Sequence, residues 1–188
     1  MKLEDHYTPE EIDRMHPYTA AILRYFPFQI LPVEGALYFN TWVSAQKTAK
    51  GTPAGTAMIG LYSEQPYSVS CFHRLEYDEV WHVYGGDPFR LILLHPDGTS
   101  EEIIMGTEPH KGHTIQTVIP AHTWQAGELL PGGRYALFGC TMAPGFDGTI
   151  FEAAVASELI AQYPERAEDI LRLSINADQT HMPEGYTV

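Results

Sequence analysis

At 188 residues with a formal net charge of −13, the chain fits one domain with an acidic surface, which argues against nucleic acid or anionic membrane surfaces as partners. Its hydrophobic content of 44% is enough for a sizeable core, yet no run approaches the roughly 18 apolar residues of a membrane helix. Cys71 and Cys140 form no disulfide framework, and Met1 to His16 hold no apolar leader, so a reduced, cytoplasmic setting is expected.

The first elements read as helices. Thr8-Pro9-Glu10-Glu11 places a hydroxyl at an N-cap, proline at the first helical position and glutamate three residues after the cap. Pro17 should end or kink that helix, and a second one is expected from about Tyr18 to Tyr25, with Ala21, Ile22 and Tyr25 on one side. Phe26 to Pro32 then reads as an extended lead into a sheet.

From Glu34 onward the texture is of short strands between turn residues. Strands are expected at Ala36–Val43, Thr56–Tyr62, Tyr67–Arg74, Glu79–Tyr84, Phe89–His95, Ser100–Met105, Thr114–Ile119, Trp124–Gly127 and Tyr135–Thr141. Asp97-Gly98 between two of them is a hairpin signal, and Gly85-Gly86-Asp87-Pro88 and Pro131-Gly132-Gly133 are further breakers. Close spacing without intervening helices points to an antiparallel sandwich or barrel, since parallel strands need long crossovers. After Gly148 the pattern turns helical, with Val155, Leu159 and Ile160 on one piece and Ala167, Ile170 and Leu171 on another. The expected plan is a helical arm over 1–31, a barrel over 32–147 and closing helices over 148–175.

The densest chemical cluster is the run from Cys71 to Gly86. Period two puts Glu79, Trp81 and Val83 on one strand face and Val80, His82 and Tyr84 on the other. His73 ends the preceding strand, so the hairpin can bring imidazole and carboxylate together. Such a pair either binds a divalent metal, shares a proton in acid–base work, or simply stabilises the hairpin as a buried hydrogen bond. His110 and His113 flank a loop without a carboxylate partner, and neither a phosphate-binding glycine loop nor a nucleophile elbow is present.

His73, Leu75, Glu79 and Gly86 resemble the first motif of the cupins, with leucine where cupins carry a second histidine. Pro120, His122 and Gln125 echo the second motif, with histidine in place of its inner glycine and glutamine in place of its metal-binding histidine. More specifically, the chain resembles the DUF985 (Cupin_5) family from about Pro32 to Leu173. The blocks that carry this are Phe72-His73-Arg74-Leu75 through Asp78-Glu79-Val80-Trp81-His82 to Gly86-Asp87-Pro88, then Val118-Ile119-Pro120-Ala121 with Trp124-Gln125-Ala126, and Gly139-Cys140-Thr141 with Ala143-Pro144-Gly145-Phe146-Asp147. In the family's first barrel strand an Arg-Glu pair is usual. Here Glu34-Gly35 is kept but Phe39-Asn40 replaces that pair, which implies a less charged ligand or different chemistry.

The resemblance implies a mainly β fold, an antiparallel double-stranded β-helix (a jelly-roll or cupin barrel) with flanking helices, a ligand inside the barrel and a homodimer paired through the outer sheet. His73 and Glu79 are the candidate catalytic pair, and Trp81, Gln125, Tyr38, Asn40 and Trp124 are candidate ligand contacts. A divalent metal would have to rest on His73, Glu79 and Gln125, with help from His122 or His82, because leucine cannot coordinate and an amide oxygen is a weak ligand. Three readings follow. One is a metal-independent epimerase or isomerase acting on a sugar or other small polar metabolite, in which His73 carries the proton, Glu79 orients its ring and Tyr38 or Tyr84 is the opposing acid. The others are a metal-dependent dioxygenase, lyase or isomerase, and a non-catalytic metabolite-binding protein.

Overall fold

The capping signals at the start of the chain act as expected in the computed structural model, which describes residues 7–175, 179–184 and 186. Thr8 and Glu11 form a reciprocal capping box over helix α1 (Pro9–Arg14), and Pro17 opens a second helix, α2 (Pro17–Tyr25). The buried face of α2 carries Thr19, Ala20, Ile22 and Leu23, whereas Ala21 and Tyr25, expected on one side with Ile22, are exposed.

Eleven strands are found among the described residues: β1 (Gln29–Ile30), β2 (Leu37–Val43), β3 (Thr56–Ser63), β4 (Ser70–Leu75), β5 (Glu79–Gly86), β6 (Phe89–Leu94), β7 (Ser100–Met105), β8 (Gln116–Ile119), β9 (Trp124–Leu129), β10 (Tyr135–Met142) and β11 (Phe151–Ala153). They form two sheets, ordered β1-β2-β3-β10-β5-β8 and β11-β4-β9-β6-β7, and every strand pairing is antiparallel. The fold is therefore mainly β, as expected. The β6–β7 hairpin turns where Gly98 takes φ +89° and the Asp97 carboxylate accepts the Thr99 N–H. Phe151–Ala153 lies in the stretch expected to be helical after Gly148, but it pairs with β4. Three residues are too few to show alternation.

The space between the sheets and much of their outer faces are packed, while the outer face of β5 and β8 stays open at Tyr84 and Val118. Phe89, Leu91 and Leu93 of β6 pack with Tyr62, Trp81, Phe138 and Cys140 of the other sheet to form the central core. Ile92 and Leu94 point the other way, onto α3 (Ala156–Gln162) and α4 (Ala167–Arg172) through Leu159, Tyr163 and Ile170. Leu171, expected on that face, is 67% exposed. The Arg90 guanidinium bonds Glu128, Glu102 and Asp169, tying α4 to the sheet.

The N-terminal arm covers the outer face of β2, β3 and β10 with Met15, Leu23 and Phe28. Phe39 stacks on Phe26, with ring centroids 5.0 Å apart, and meets Phe28 edge-on at 5.1 Å. Phe39, which stands where the family that the chain resembles carries arginine, thus anchors the arm on the sheet. No helix among the described residues is long and apolar enough to cross a membrane.

Candidate functional site

The β4 strand carries a bulge that sets up the site. Ser70 pairs with Gly127 and His73 with Gln125, so three steps on β4 oppose two on β9. The extra residue lets Ser70 and His73 both face inward, while Phe72 between them goes to the helix-covered side. On β5 the alternation holds: Glu79 and Trp81 are buried, and His82 and Tyr84 lie on the outer face, where their rings stack. Tyr84 is 51% exposed, so of the two tyrosines considered as acids only Tyr38 reaches the interior.

A cavity between the sheets, toward one end, is lined by Glu34, Tyr38, Asn40, His73, Glu79 and Trp81, with Leu31, Leu75, Met58, Met142, Phe146 and Cys140 as apolar wall. Its enclosed space is ≈ 40 Å³, room for roughly three waters or the head group of a ligand. Gln125 stands behind this wall rather than in it. Its amide N–H donates to Glu79 Oε2 at 2.9 Å, and its Oε1 accepts from the Trp81 indole at 3.1 Å. The same indole N–H reaches Glu79 Oε2 at 2.9 Å. Trp124, expected at the ligand, faces the opposite side of β9, where the Arg74 guanidinium lies 4.6 Å over its ring. Adjacent residues of a strand face opposite ways, so Gln125 inward places Trp124 outward.

His73 is 3% exposed and fixed by two contacts. A carbonyl can only accept, so the 2.8 Å contact with the Cys71 carbonyl makes Nδ1 the donor. Phe151 stacks on the ring at 5.2 Å. The remaining nitrogen, Nε2, lies 3.7 Å from Glu34 Oε2, too long for a hydrogen bond. Ring orientation was expected to come from Glu79, but Cys71 and Phe151 supply it, while Glu79 is held by Trp81 and Gln125. Burial raises the Glu79 carboxyl above its ordinary range, and the nearby His73 and the Gln125 bond pull it partly back. Burial likewise pushes the Cys140 thiol well up, so it remains a neutral wall group.

Glu34 was not singled out from the sequence as a site residue. It sits on a turn between β1 and β2 in which Val33 (φ 69°) and Gly35 (φ +96°) both adopt the left-handed conformation. A β-branched residue there is strained, a cost of roughly 1–3 kcal/mol that surrounding structure must hold. What holds it is a buried chain: Tyr62 Oη donates to Ser70 Oγ at 2.6 Å, and Ser70 Oγ donates to Glu34 Oε1 at 2.6 Å. The Cys71 N–H also bonds the Glu34 carbonyl.

The metal set inferred from the motif does not assemble. Leu75 lines the cavity where a cupin histidine would stand, and both ends of the Gln125 amide are committed to Glu79 and Trp81. His82 bonds Thr141 and Gln116 on the outer face, and His122 borders a separate depression with Arg74 and Glu76. His122 does fill a left-handed position (φ 65°), which accounts for the glycine that the cupin motif has there. Among the described residues no three His, Cys, Asp or Glu side chains are grouped to hold a metal ion.

Comparison with protein families matches residues 22–154 to the family described as Cupin superfamily (DUF985). The chain belongs to that family. This cupin's first helix and the start of α2 precede the matched region. Among curated proteins none matches it. Two solved structures share its fold. A hypothetical protein from Leishmania major is 24% identical with a TM-score of 0.74, covering 83% of this chain and 98% of its own. A protein from Shewanella oneidensis is 24% identical with a TM-score of 0.74, covering 82% of this chain and 96% of its own.

Proposed function

We propose that this cupin binds a small polar metabolite in the Glu34–His73–Glu79 cavity and moves a proton on it without a metal, as an epimerase or isomerase does. The observation that carries the reading is the state of His73. Its Nδ1 is committed to a carbonyl, so Nε2 is the nitrogen left to exchange a proton at the cavity, beside a carboxylate that stabilises the charged ring. In this scheme Nε2 removes a proton from a carbon next to a carbonyl group. Glu34 stabilises the imidazolium, and the Tyr38 hydroxyl, bonded to Gln29 and Tyr186, returns a proton on the other face. The apolar wall keeps water from competing for the intermediate.

The protein works, on this reading, in the cytoplasm as a homodimer. Val118 on edge strand β8 and Tyr84 on the neighbouring β5, both exposed on the outer face, supply apolar surface for the pairing. A monomeric mass at micromolar concentration would remove that part.

The main test is hydrogen exchange. The metabolite that co-purifies with the untagged protein, identified by mass spectrometry, or failing that a panel of small carbonyl compounds, is incubated in D2O. Wild-type protein should place deuterium on carbon, and His73→Ala should lose the exchange while keeping affinity. Exchange undiminished in His73→Ala, or a wild-type protein that binds without exchanging, overturns the proton-transfer reading; the second outcome points to a non-catalytic binding protein. Stoichiometric metal in the untagged protein, with activity lost on chelation, points to a metal-dependent cupin enzyme instead.

A further inference from the structure

The charge and donor pattern of the cavity restrict what can enter it. The lining carries two carboxylates and one imidazole, with no lysine or arginine among the described lining residues. With both carboxylates ionised, the sum is −2 for a neutral His73 and −1 for a charged one. Another negative group at these distances meets like charges in a place with little water to screen them.

The carboxylates also have acceptor capacity to spare. Glu79 takes both of its nitrogen donors, Trp81 and Gln125, on Oε2. Its further neighbour is the Cys140 thiol, a weak donor. Glu34 takes Ser70 on Oε1, and among the described residues its Oε2 has only His73 Nε2, at 3.7 Å. That imidazole nitrogen belongs to a side chain more than nine-tenths buried, lines the cavity and lies beyond hydrogen-bond reach of Glu34. A ligand with several N–H donors would satisfy the spare carboxylate oxygens together and leave His73 Nε2 free for the rest of the ligand. The rest of the wall is of a kind that tolerates a cation: Trp81, Tyr38 and Phe146 are aromatic, and Met58 and Met142 bring polarizable thioethers. The ≈ 40 Å³ of enclosed space matches a head group of few atoms.

We propose that the cavity receives the ammonium group of a small primary amine between Glu34 and Glu79, and that it rejects carboxylates and phosphates of similar size. This substrate class rests on the cavity being the functional site, as proposed above, but it does not depend on turnover. His73 Nε2 then faces the carbon skeleton attached to the nitrogen.

The test reads binding directly. The Trp81 indole N–H, bonded to Glu79, gives its own signal in a proton–nitrogen correlation spectrum, assigned with Trp81→Phe against those of Trp42 and Trp124. Methylammonium chloride, sodium acetate, methyl phosphate and methanol are titrated at constant pH and ionic strength. Methylammonium should move the Trp81 signal saturably and leave Trp42 and Trp124 in place. Glu34→Gln should weaken that binding at least tenfold. Should Glu34→Gln fail to fold, Asn40→Asp adds a charge to the same wall and should tighten methylammonium binding several-fold. No saturable response to methylammonium, an equal response to acetate, or affinity unchanged in the variant that folds overturns the proposal. Loss of this binding pattern with His73-dependent exchange intact removes the amine and leaves the proton transfer. The reverse result does the opposite.

Discussion

Gly127→Ala should damage the site from behind without touching the cavity. A Cβ at position 127 would lie 2.2 Å from the Tyr62 hydroxyl and 2.9 Å from its Cζ, against 3.4 Å or more for ordinary contact. Tyr62 would have to shift by about 1 Å, and it is fully buried against Phe89, Phe138 and Trp81. Overpacking costs about 1–3 kcal/mol, and losing the bond from Tyr62 to Ser70 adds about 1–3 kcal/mol. For a chain of this size the sum is a fall in Tm of about 5–20 °C, read by thermal and urea unfolding. The cause can be checked in a Tyr62→Phe background, where the closest atom is gone. There the cost of Gly127→Ala should shrink by about 1–3 kcal/mol. An equal cost in both backgrounds would refute the steric argument and the role given to the Tyr62–Ser70–Glu34 chain.

Phe39→Arg, which restores the side chain usual in the family, should destabilise this protein by about 2–4 kcal/mol and free the N-terminal arm for proteolysis. An unchanged melting curve would show that the arm does not rest on Phe39. Glu79→Gln should flatten the pH dependence of stability. The Glu79 carboxyl is raised by burial in the folded state, so its contribution is fully present below its unfolded value and is lost as pH rises through the folded one. A single oxygen, Oε2, accepts both the Trp81 and Gln125 bonds, so a glutamine oxygen can keep them. Melting temperatures from pH 4 to 8 should therefore show Glu79→Gln gaining on wild type toward neutral pH, and a parallel pair of curves would contradict this.

The strands were legible because short apolar runs and turn residues punctuate the chain along β2 to β10, and the inward set of β5 follows directly from period two. The same rule, applied to β9, separates Trp124 from Gln125; the motif pointed to Gln125, and the use of aromatic rings as pocket walls pointed to Trp124. Glu34 was harder to see. It lies on a turn, where alternation has no meaning, and its inward aim depends on Val33 and Gly35 in left-handed conformations that hydrophobicity does not report. The available signal was that Glu34-Gly35 survives in a stretch where Phe39-Asn40 does not. The bulge in β4 was invisible too, since Cys71 and Phe72 carry no glycine to mark it. Yet it decides that Ser70 and His73 share a face, and with them the proton chain and the imidazole.

The central claim is that His73 presents an exchangeable Nε2 to a cavity governed by Glu34. Long-range proton–nitrogen spectra of the imidazole rings, assigned with His73→Gln, test this most directly. The account predicts that His73 has a proton on Nδ1 throughout, and that the Nε2 signal moves when Glu34 is changed to glutamine and again when a ligand fills the cavity. A His73 ring that bears its proton on Nε2 with Nδ1 bare, or an Nε2 signal indifferent to both changes, would contradict it.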